Sequence, residues 1–312
     1  GMRMAANVQT ELARRRLQEV SSQLDPEFVE DLLHAPQLTE HDLQSQQHRV
    51  KELQAKLADM EQTPAVRDLM SVADHLLRRS VWIIGGDGWA YDIGSSGVDH
   101  VLASGRDVNV LVLDTEVYSN TGGQASKSTP LGAVAKFASA GKPTAKKDMA
   151  LQAIAYGSVY VARVALGADP QQTLRAFREA EAYPGPSLII AYSHCIAHGY
   201  DLRNGLDQQY KAVHCGHWPL MRYNPVLADE GRNPFLLDSP KPDETWREYT
   251  KLELRYRMLQ KAHPEEAERL LDLGQRQVER RYAEYAEMAS RTAENFAVDA
   301  RMSEFAASSN RA

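Results

Sequence analysis

The apolar positions of the first eighty residues recur with helical spacing, and no run among them has the form of a strand. Capping side chains stand directly before proline at Asp25-Pro26 and Thr63-Pro64, which is typical of helix starts. Between these starts, apolar residues occupy two heptad positions of one predicted helix: Leu43, Val50, Leu53, Leu57 and Met60. Such a narrow seam is typical of a helical hairpin or of an arm that packs on a partner surface. The pattern predicts a helical segment over residues 1–80.

Short continuous apolar runs replace this spacing from Val81 onward. Four of them have the length and the uninterrupted apolar character of strands buried on both faces: 81–84, 108–113, 159–164 and 188–192. Helical patterns separate or flank them at 92–104, 130–140, 147–156 and 170–182. Strands that alternate with helices connect through right-handed crossovers. We therefore predict an α/β core over residues 81–215, with a mostly parallel sheet and helices on both faces.

The chain beyond this core changes pattern twice more. Residues 218–243 are rich in proline, asparagine and aromatic residues, which favours an ordered but irregular wrap. Two helices are predicted after it, at 244–262 and 264–288, and a proline separates them. The wrap and these helices form the predicted segment 216–288. The last residues, 289–312, are small, polar and weakly patterned, and we expect them to be disordered.

Composition and charge exclude several classes of protein. The 312 residues carry a formal net charge of −6, and the arginines are scattered, so the chain lacks the positive stripe that binds nucleic acid. No apolar run approaches the roughly 20 residues that cross a bilayer, and the first residues lack the apolar stretch of a secretory signal. The two cysteines cannot build a disulfide framework. We therefore expect a cytoplasmic globular protein with no nucleic-acid or membrane partner.

A glycine-flanked aspartate follows the first predicted strand, in the sequence Gly86-Asp87-Gly88-Trp89. The glycines let the backbone approach a bulky anion, and the next helix would point its positive end toward that anion. A carboxylate at a phosphate site needs a cation between the two negative charges, so Asp87 is a candidate Mg²⁺ ligand. Taken alone, the motif favours a simpler interpretation, in which Asp87 only caps the helix after a tight turn.

A second polar loop follows the next strand and favours the interpretation of Asp87 as a metal ligand over that of a helix cap. It offers the Thr115 hydroxyl, the Val117 carbonyl and the Asn120 amide, which are hard oxygen donors of the kind that Mg²⁺ prefers. Because the carboxyl ends of parallel strands meet at one sheet edge, the two loops can lie side by side. The 33 residues from Asp87 to Asn120 match one helix, one strand and two turns. The two loops together predict a magnesium site at this edge.

These loops resemble the motif that binds thiamin diphosphate (ThDP, also called thiamine pyrophosphate). Two longer strings, SVWIIGGDGWAYDIG and VLDTEVYSNTGGQASKSTP, are similar to those of pyruvate:ferredoxin (flavodoxin) oxidoreductases, and the similarity extends over residues 65–288. The resemblance implies a ThDP-binding fold and the C-terminal portion of that longer enzyme. It also implies oxidative decarboxylation of pyruvate to acetyl-coenzyme A and CO₂, with electrons passed through 4Fe-4S clusters to ferredoxin or flavodoxin.

Carried onto this sequence, the resemblance implies three Mg²⁺ ligands: the Asp87 carboxylate, the Thr115 hydroxyl and the Val117 carbonyl. Asn120 matches an asparagine beside the reactive ring of the cofactor, where it can hydrogen-bond substrate, and it is the candidate catalytic residue. The implied cofactor contacts come from both loops: Gly86, Asp87, Gly88, Trp89, Thr115, Glu116, Val117, Tyr118, Ser119 and Asn120.

Cys195 matches the last ligand of the 4Fe-4S cluster nearest ThDP in these enzymes. Such a cluster takes four thiolates and this sequence has two cysteines, so the resemblance implies that the other ligands come from an upstream segment. Cys215 matches no ligand. Without the resemblance, Cys195 is most simply a buried apolar thiol.

The implied partners are the remaining domains of the oxidoreductase, ferredoxin or flavodoxin, pyruvate and coenzyme A, in an enzyme expected to be a homodimer. We expect this chain to be inactive without those domains, whether it is a truncated frame, a subunit or a piece of a longer polypeptide. Two alternatives stay open. The chain could be the ThDP subunit of an oxidoreductase for another 2-oxo acid, or a non-catalytic fragment that binds partners through its helices, as the apolar seam suggests.

Overall fold

The computed structural model describes residues 1–292. The chain divides into two compact units, residues 1–81 and the residues from Trp82 onward. Of the tail predicted at 289–312, residues 293–312 lie outside the described residues, and the last helix continues through Ser290. None of the helices within residues 1–292 is long and apolar enough to pass through a lipid bilayer.

The first unit is helical, as the sequence predicts, and two of its helices begin at the predicted caps. The Asp25 and Thr63 side chains each accept a hydrogen bond from the backbone N–H three residues on. Thr39 forms a reciprocal capping box with Asp42, in which each side chain bonds to the backbone of the other residue. The helices are α1 (Met2–Val20), α2 (Pro26–His34), α3 (Glu40–Asp59) and α4 (Pro64–Val72).

The predicted apolar seam of α3 faces the core of this unit. Val50, Leu53 and Leu57 are buried, and Met60 packs against the same cluster. The other helices and the turns between them complete the cluster with Ala13, Leu17, Val20, Val29, Leu32, Val66, Leu69, Ala73 and Leu76. Gln46 is buried among them, and its amide donates hydrogen bonds to two backbone carbonyl oxygens. The seam therefore stabilises its own unit and is not an open stripe for a partner.

The second unit is built around a sheet whose strands are β1 (Trp82–Gly86), β2 (Asn109–Asp114), β3 (Tyr160–Val164), β4 (Ser187–Tyr192), β5 (Met221–Tyr223) and β6 (Phe235–Leu237). Within the described residues these six strands follow the order β1-β2-β4-β3-β5-β6. The first four pair in parallel, and β5 and β6 extend the sheet beyond β3 in antiparallel pairs. The predicted α/β fold with a mostly parallel sheet is confirmed.

Helices cover both faces of the sheet at β3 and β4, where nearly every strand residue is buried. The edge strand β1 differs, since Ile84 is 62% exposed, so the prediction that 81–84 is buried on both faces is wrong. Alternate residues of β4 point to separate cores: Leu188 and Ile190 pack in one, and Ile189 packs in the other with residues of the helix at 170–182. The helices described in this unit are α5 (Ser95–Ala103), α6 (Met149–Ile154), α7 (Pro170–Ala182), α8 (Gly205–His214), α9 (Pro225–Asp229), α10 (Trp246–Thr250), α11 (Leu254–Ala262) and α12 (Pro264–Ser290). A π-helix at Gly88–Ile93 follows β1.

Two predicted helices differ from the structure. The prediction of a helix at 130–140 is wrong. This segment forms turns, in which Gly132 and Phe137 have φ angles of 76° and 66°. Left-handed backbone of this kind cannot continue a right-handed helix. The helix predicted at 244–262 is broken between α10 and α11, where the buried Glu253 turns its carboxylate toward Tyr249 and Arg255.

The predicted irregular wrap is also partly regular. It contains β5, α9 and β6, and each strand is only three residues long. Strands this short give no alternation from which a sequence pattern can be recognised. Their place in the sheet comes from the antiparallel pairing with β3, which no local pattern records.

A glycine lets the long helix α12 approach α10 closely, and it provides a test of this packing. A Cβ atom at Gly274 would lie 2.0 Å from the indole ring of Trp246, which is only 2% exposed. We expect Gly274→Ala to lower the free energy of unfolding by about 1–3 kcal/mol, since the overpacking outweighs the gain in helix propensity. Urea denaturation followed by circular dichroism measures this change.

The matched control is Gly97→Ala in α5, where a new Cβ would meet nothing within 4 Å. This change should leave the stability unchanged or raise it by up to about 1 kcal/mol. Equal effects of the two substitutions would contradict the close packing of Gly274.

Candidate functional site

Three parallel strands end side by side at the carboxyl-terminal edge of the sheet, and the predicted site residues follow them. The ends of β1 and β2 lie side by side, with Gly86 paired to Leu113. β4 ends next to β2, with Tyr192 paired to Asp114, and Cys195 follows in the next loop. Ligands of open α/β sheets bind at such an edge, where the loops after neighbouring strands meet.

The oxygen atoms of the three predicted magnesium ligands lie close together at this edge. Thr115 Oγ1 is 2.8 Å from Asp87 Oδ1 and 3.0 Å from the Val117 carbonyl oxygen. The Thr115 backbone N–H donates to the same Asp87 oxygen at 3.3 Å. The Ser126 hydroxyl donates to the other oxygen, Oδ2, at 2.9 Å. The Asp87 carboxylate therefore joins the first loop to the second.

Burial leaves the Asp87 carboxylate in a poor environment for its negative charge. The residue is 1% exposed. Burial, together with repulsion from Asp114, raises the pKa of Asp87 to about 6. Lys146 opposes this shift, but its ammonium group is paired with Asp114 and Glu116. A cation bound at Asp87 would stabilise the ionised carboxylate, so the environment suits a metal ligand.

This donor set is not a conventional cluster of acidic and imidazole ligands. Among residues 1–292, no group of three or more His, Cys, Asp or Glu side chains is arranged to hold a metal ion. The predicted set combines one carboxylate with a hydroxyl and a backbone carbonyl. Such all-oxygen sites are typical of Mg²⁺ when phosphate oxygens and water complete the shell.

Glycines allow two aromatic rings to pack closely around the first loop. A Cβ at Gly88 would lie 2.4 Å from the ring of Tyr118, whose hydroxyl donates to the Gly88 carbonyl oxygen at 3.3 Å. Trp89 is placed in the same way, because Cβ atoms at Gly85 and Gly94 would lie 2.4 Å and 2.2 Å from its indole. Tyr118 thus packs across the two loops against Gly88, whereas Trp89 packs within its own segment against Gly85 and Gly94.

Three further predicted contacts are accessible at the surface. Gly86, Ser119 and Asn120 are exposed. A tight turn presents the last two, since the Tyr118 N–H donates to the Gln124 carbonyl oxygen at 2.9 Å. The Asn120 side chain is therefore available to a molecule bound at this edge.

A cluster of buried charges, which we call the Glu116 cluster, comprises Asp114, Glu116, Lys146, His217 and Arg255. The Glu116 carboxylate lies 3.2 Å from Lys146 Nζ, 3.1 Å from His217 Nε2 and 2.8 Å from Arg255 Nη2. Lys146 Nζ is also 2.8 Å from Asp114 Oδ2. Burial alone would raise the pKa of Glu116, but Lys146, with His217 and Arg255, holds it well below its ordinary value.

Glu116 therefore has a different position from the other predicted cofactor contacts. The whole residue is buried: its carboxylate lies in the cluster, and its backbone N–H and carbonyl oxygen are hydrogen-bonded to Asp114 and Thr129. Glu116 is the residue between the two predicted magnesium ligands Thr115 and Val117, so its backbone joins them. The cluster is thus directly connected to the candidate metal site.

A buried histidine also holds the second loop. His198 Nε2 lies 2.8 Å from the Thr115 carbonyl oxygen. Burial lowers the pKa of His198 to about 4, so its ring is neutral at pH 7 and donates its Nε2 proton to that oxygen. The Thr115 peptide is therefore fixed from the loop that follows β4.

The two cysteines lie in different environments. Cys195 Sγ is 3.0 Å from Ser119 Oγ and accepts a hydrogen bond from the Ala197 N–H at 3.4 Å, which places it against the second loop. Cys215 is buried in the main apolar core, and burial raises the pKa of its thiol to about 12. Both are free thiols. Of the two, Cys195 is the cysteine whose sulfur contacts a predicted site residue, Ser119.

Sequence patterns alone do not identify several residues of this edge. Ser126, Lys146 and His198 lie in loops or short turns without a motif, and Arg255 is 139 residues from Glu116. Only the fold brings these side chains to the two loops. Asp114 does carry a signal, since an acidic residue at the end of an apolar strand is unusual.

The Glu116 cluster predicts a large effect on stability when its shared cation is removed. We expect Lys146→Met to lower the free energy of unfolding by about 3–5 kcal/mol, because two buried carboxylates lose their common partner. Lys127→Met is the control: this lysine is exposed and pairs with Asp92 at 3.5 Å, so the loss should stay below about 1 kcal/mol. Guanidinium denaturation compares the two, and similar small losses would contradict the importance of the cluster.

The segment that contains this edge is similar to a known protein family. Residues 69–191 match the family described as thiamine pyrophosphate enzyme, C-terminal TPP binding domain. A solved 2-oxoglutarate:ferredoxin oxidoreductase from Magnetococcus marinus aligns with 36% of this chain and 40% of its own chain, at 24% identity and a TM-score of 0.34.

Curated relatives cover most of the chain. A putative pyruvate-flavodoxin oxidoreductase of Synechocystis is 52% identical over 292 residues, which are 94% of this chain and 24% of that protein. The pyruvate:ferredoxin oxidoreductase of Moorella thermoacetica is 55% identical over 222 residues, 71% of this chain and 19% of that protein. The chain spans about a quarter of the length of the first of these relatives. The chain is therefore homologous to a part of pyruvate-flavodoxin and pyruvate:ferredoxin oxidoreductases, and its residues 69–191 match a thiamine-pyrophosphate-binding domain.

Proposed function

We propose that this chain binds ThDP through Mg²⁺ at the common edge of β1 and β2, as the cofactor-binding portion of a pyruvate:ferredoxin or pyruvate-flavodoxin oxidoreductase. The observation that carries the proposal is the convergence of three oxygen atoms from two loops, at Asp87, Thr115 and Val117. The homology supports the identity of the cofactor, because the matched domain is a TPP-binding domain.

The spacing of these oxygens fits Mg²⁺. Octahedral Mg²⁺ holds its ligands at 2.0–2.1 Å, so adjacent ligand oxygens are separated by about 2.9 Å. The two distances from Thr115 Oγ1, 2.8 Å and 3.0 Å, agree with neighbouring positions on one ion. Two diphosphate oxygens and a water would complete the shell.

The residues around these ligands would bind and orient the cofactor. Gly86 is exposed and lacks a side chain, so the backbone there can approach a diphosphate. Trp89 and Tyr118 pack closely against glycines and can bound the site. Asn120 is exposed and can hydrogen-bond the substrate. When bound, ThDP supplies the electron sink for decarboxylation of a 2-oxo acid.

We propose Cys195 as one ligand of a 4Fe-4S cluster, with the other thiolates supplied by other parts of the enzyme. Its sulfur contacts Ser119, which lies in the same loop as the proposed Mg²⁺ ligands Thr115 and Val117. It also accepts a hydrogen bond from the backbone N–H of Ala197. Hydrogen bonds to cluster sulfur atoms tune the reduction potential. A cluster at this position would accept electrons close to the cofactor.

The proposed reaction of the whole enzyme converts pyruvate and coenzyme A to acetyl-coenzyme A and CO₂. Two electrons leave singly through the clusters and reduce ferredoxin or flavodoxin. The partners are therefore the remaining domains, the electron carrier and the two substrates, in a cytoplasmic homodimer.

The names of the relatives favour pyruvate over another 2-oxo acid. A purely partner-binding role loses its main argument, since the seam of α3 is buried within its own unit.

Calorimetric titration of the chain with ThDP at millimolar Mg²⁺ tests the cofactor site. We expect binding that chelation of the metal abolishes, and an affinity at least about tenfold weaker in Asp87→Asn, because the variant loses a charged ligand. Asp99→Asn is the control, since this exposed aspartate of α5 also accepts a hydrogen bond, from Tyr156. Unchanged affinity in Asp87→Asn, or binding that does not depend on the metal, would refute the site.

The cluster ligand is tested in the chain expressed together with the remaining domains. Cys195→Ala should lower the iron and sulfide content by one cluster, close to four iron atoms in a 4Fe-4S enzyme. Cys215→Ala should leave both contents unchanged, because this thiol is buried in the apolar core. Full iron content in Cys195→Ala would remove the cysteine from the proposed ligands.

A further inference from the structure

The residue between the two proposed metal ligands has an unusual backbone. Glu116 has a φ angle of 60°, in the left-handed region that residues with a Cβ atom rarely adopt. This conformation lets the Thr115 hydroxyl and the Val117 carbonyl oxygen approach within 3.0 Å of each other. Strain of this kind persists only when the surrounding structure holds it in place.

Hydrogen bonds on both sides of Glu116 hold this backbone. The Glu116 N–H donates to Asp114 Oδ1 at 3.0 Å, and its carbonyl oxygen accepts the Thr129 hydroxyl at 2.7 Å. The preceding carbonyl, that of Thr115, is held by His198. Every peptide group that borders the left-handed residue therefore has a partner.

The Glu116 side chain adds a long-range constraint through Arg255. The guanidinium donates to Glu116 Oε2 at 2.8 Å and to Glu253 Oε2 at 2.6 Å. Its own backbone carbonyl accepts the Val134 N–H at 2.8 Å, which ties the start of α11 to the turns at 130–140. Arg255 is 5% exposed and lies outside the matched TPP-binding domain at 69–191.

We propose that Arg255 is a positioning residue for the metal site: by holding the Glu116 carboxylate, it keeps the Thr115 hydroxyl and the Val117 carbonyl directed at one ion. The inference rests on the proposed function. It assigns to α11, a helix distant in sequence from both ligand loops, a part in the affinity for Mg²⁺. Arg255 touches neither the metal nor the cofactor.

A second buried arginine provides a matched control. Arg222 is 6% exposed, lies in β5, and pairs with Asp238 and Glu179 as Arg255 pairs with two carboxylates. Neither of its partners belongs to the two ligand loops. Replacing either arginine with glutamine removes a buried charge from an ion pair, so both changes should lower the unfolding midpoint. Only the change at Arg255 should affect the metal site.

The experiment measures the Mg²⁺ concentration that gives half-maximal ThDP binding to the full chain, with the thermal midpoint of the metal-free chain recorded in parallel. We expect Arg255→Gln to raise this concentration at least tenfold and Arg222→Gln to leave it within twofold. Arg255→Lys, which keeps the charge but loses the two-pronged geometry, should fold more readily and give an intermediate value.

The outcomes separate this inference from the function on which it rests. If the unaltered chain binds no ThDP with Mg²⁺, the proposed function fails and the role of Arg255 fails with it. A second outcome refutes only the positioning role. In it, the unaltered chain binds ThDP with Mg²⁺ and Asp87→Asn does not, while Arg255→Gln and Arg255→Lys need the same Mg²⁺ concentration as the unaltered chain. Equal losses of Mg²⁺ affinity in the Arg255 and Arg222 variants would also refute it, because they would indicate general destabilisation.

Discussion

The candidate site depends on the compensation of two carboxylates that have no access to water. Asp114 ends β2 and Glu116 follows two residues later, and both are completely buried. Ionised carboxylates in such an environment are tolerated only beside cations and hydrogen-bond donors. Lys146 lies between them, and Arg255 binds the second. The path of the chain after β2 is therefore set by charge pairing.

This pairing connects parts of the chain that are far apart in sequence. Lys146 comes from the loop before α6, His217 from the segment before β5, and Arg255 from α11. The terminal helices thus contribute to the interior of the α/β unit, where Trp246 and Tyr249 pack in the same core as β2. In contrast, the exposed residues Ser119 and Asn120 take no part in the cluster. Under the proposed function, structural support and ligand recognition would be carried by different residues of one loop.

The strands β3 and β4 could be predicted from sequence because burial on both faces favours long apolar runs. The run at β1 is apolar as well, although Ile84 is exposed, so its pattern predicted the strand but not its burial. The proximity of the loops after β1 and β2 could be predicted because the strand ends of a parallel sheet lie together in space. The turns at 130–140 could not, since a run of small and apolar residues resembles a helix until the left-handed φ of Phe137 is known. Arg255 could not be predicted either, because its contact with Glu116 spans 139 residues and depends on the complete fold. The roles of the ligand residues themselves stay predictions.

The packing of Trp89 has an optical consequence. Of the four tryptophans in the chain, Trp218 and Trp246 are buried in the core, and Trp82 stacks on Phe177 with ring centroids 5.5 Å apart. Trp89 alone lies in one of the two loops of the proposed site, where its indole packs closely against Gly85 and Gly94. Binding of ThDP as proposed would place a charged aromatic molecule near this indole and change its emission and its near-ultraviolet dichroism. Trp89 would then be a native fluorophore for occupancy of the proposed site, without any attached dye.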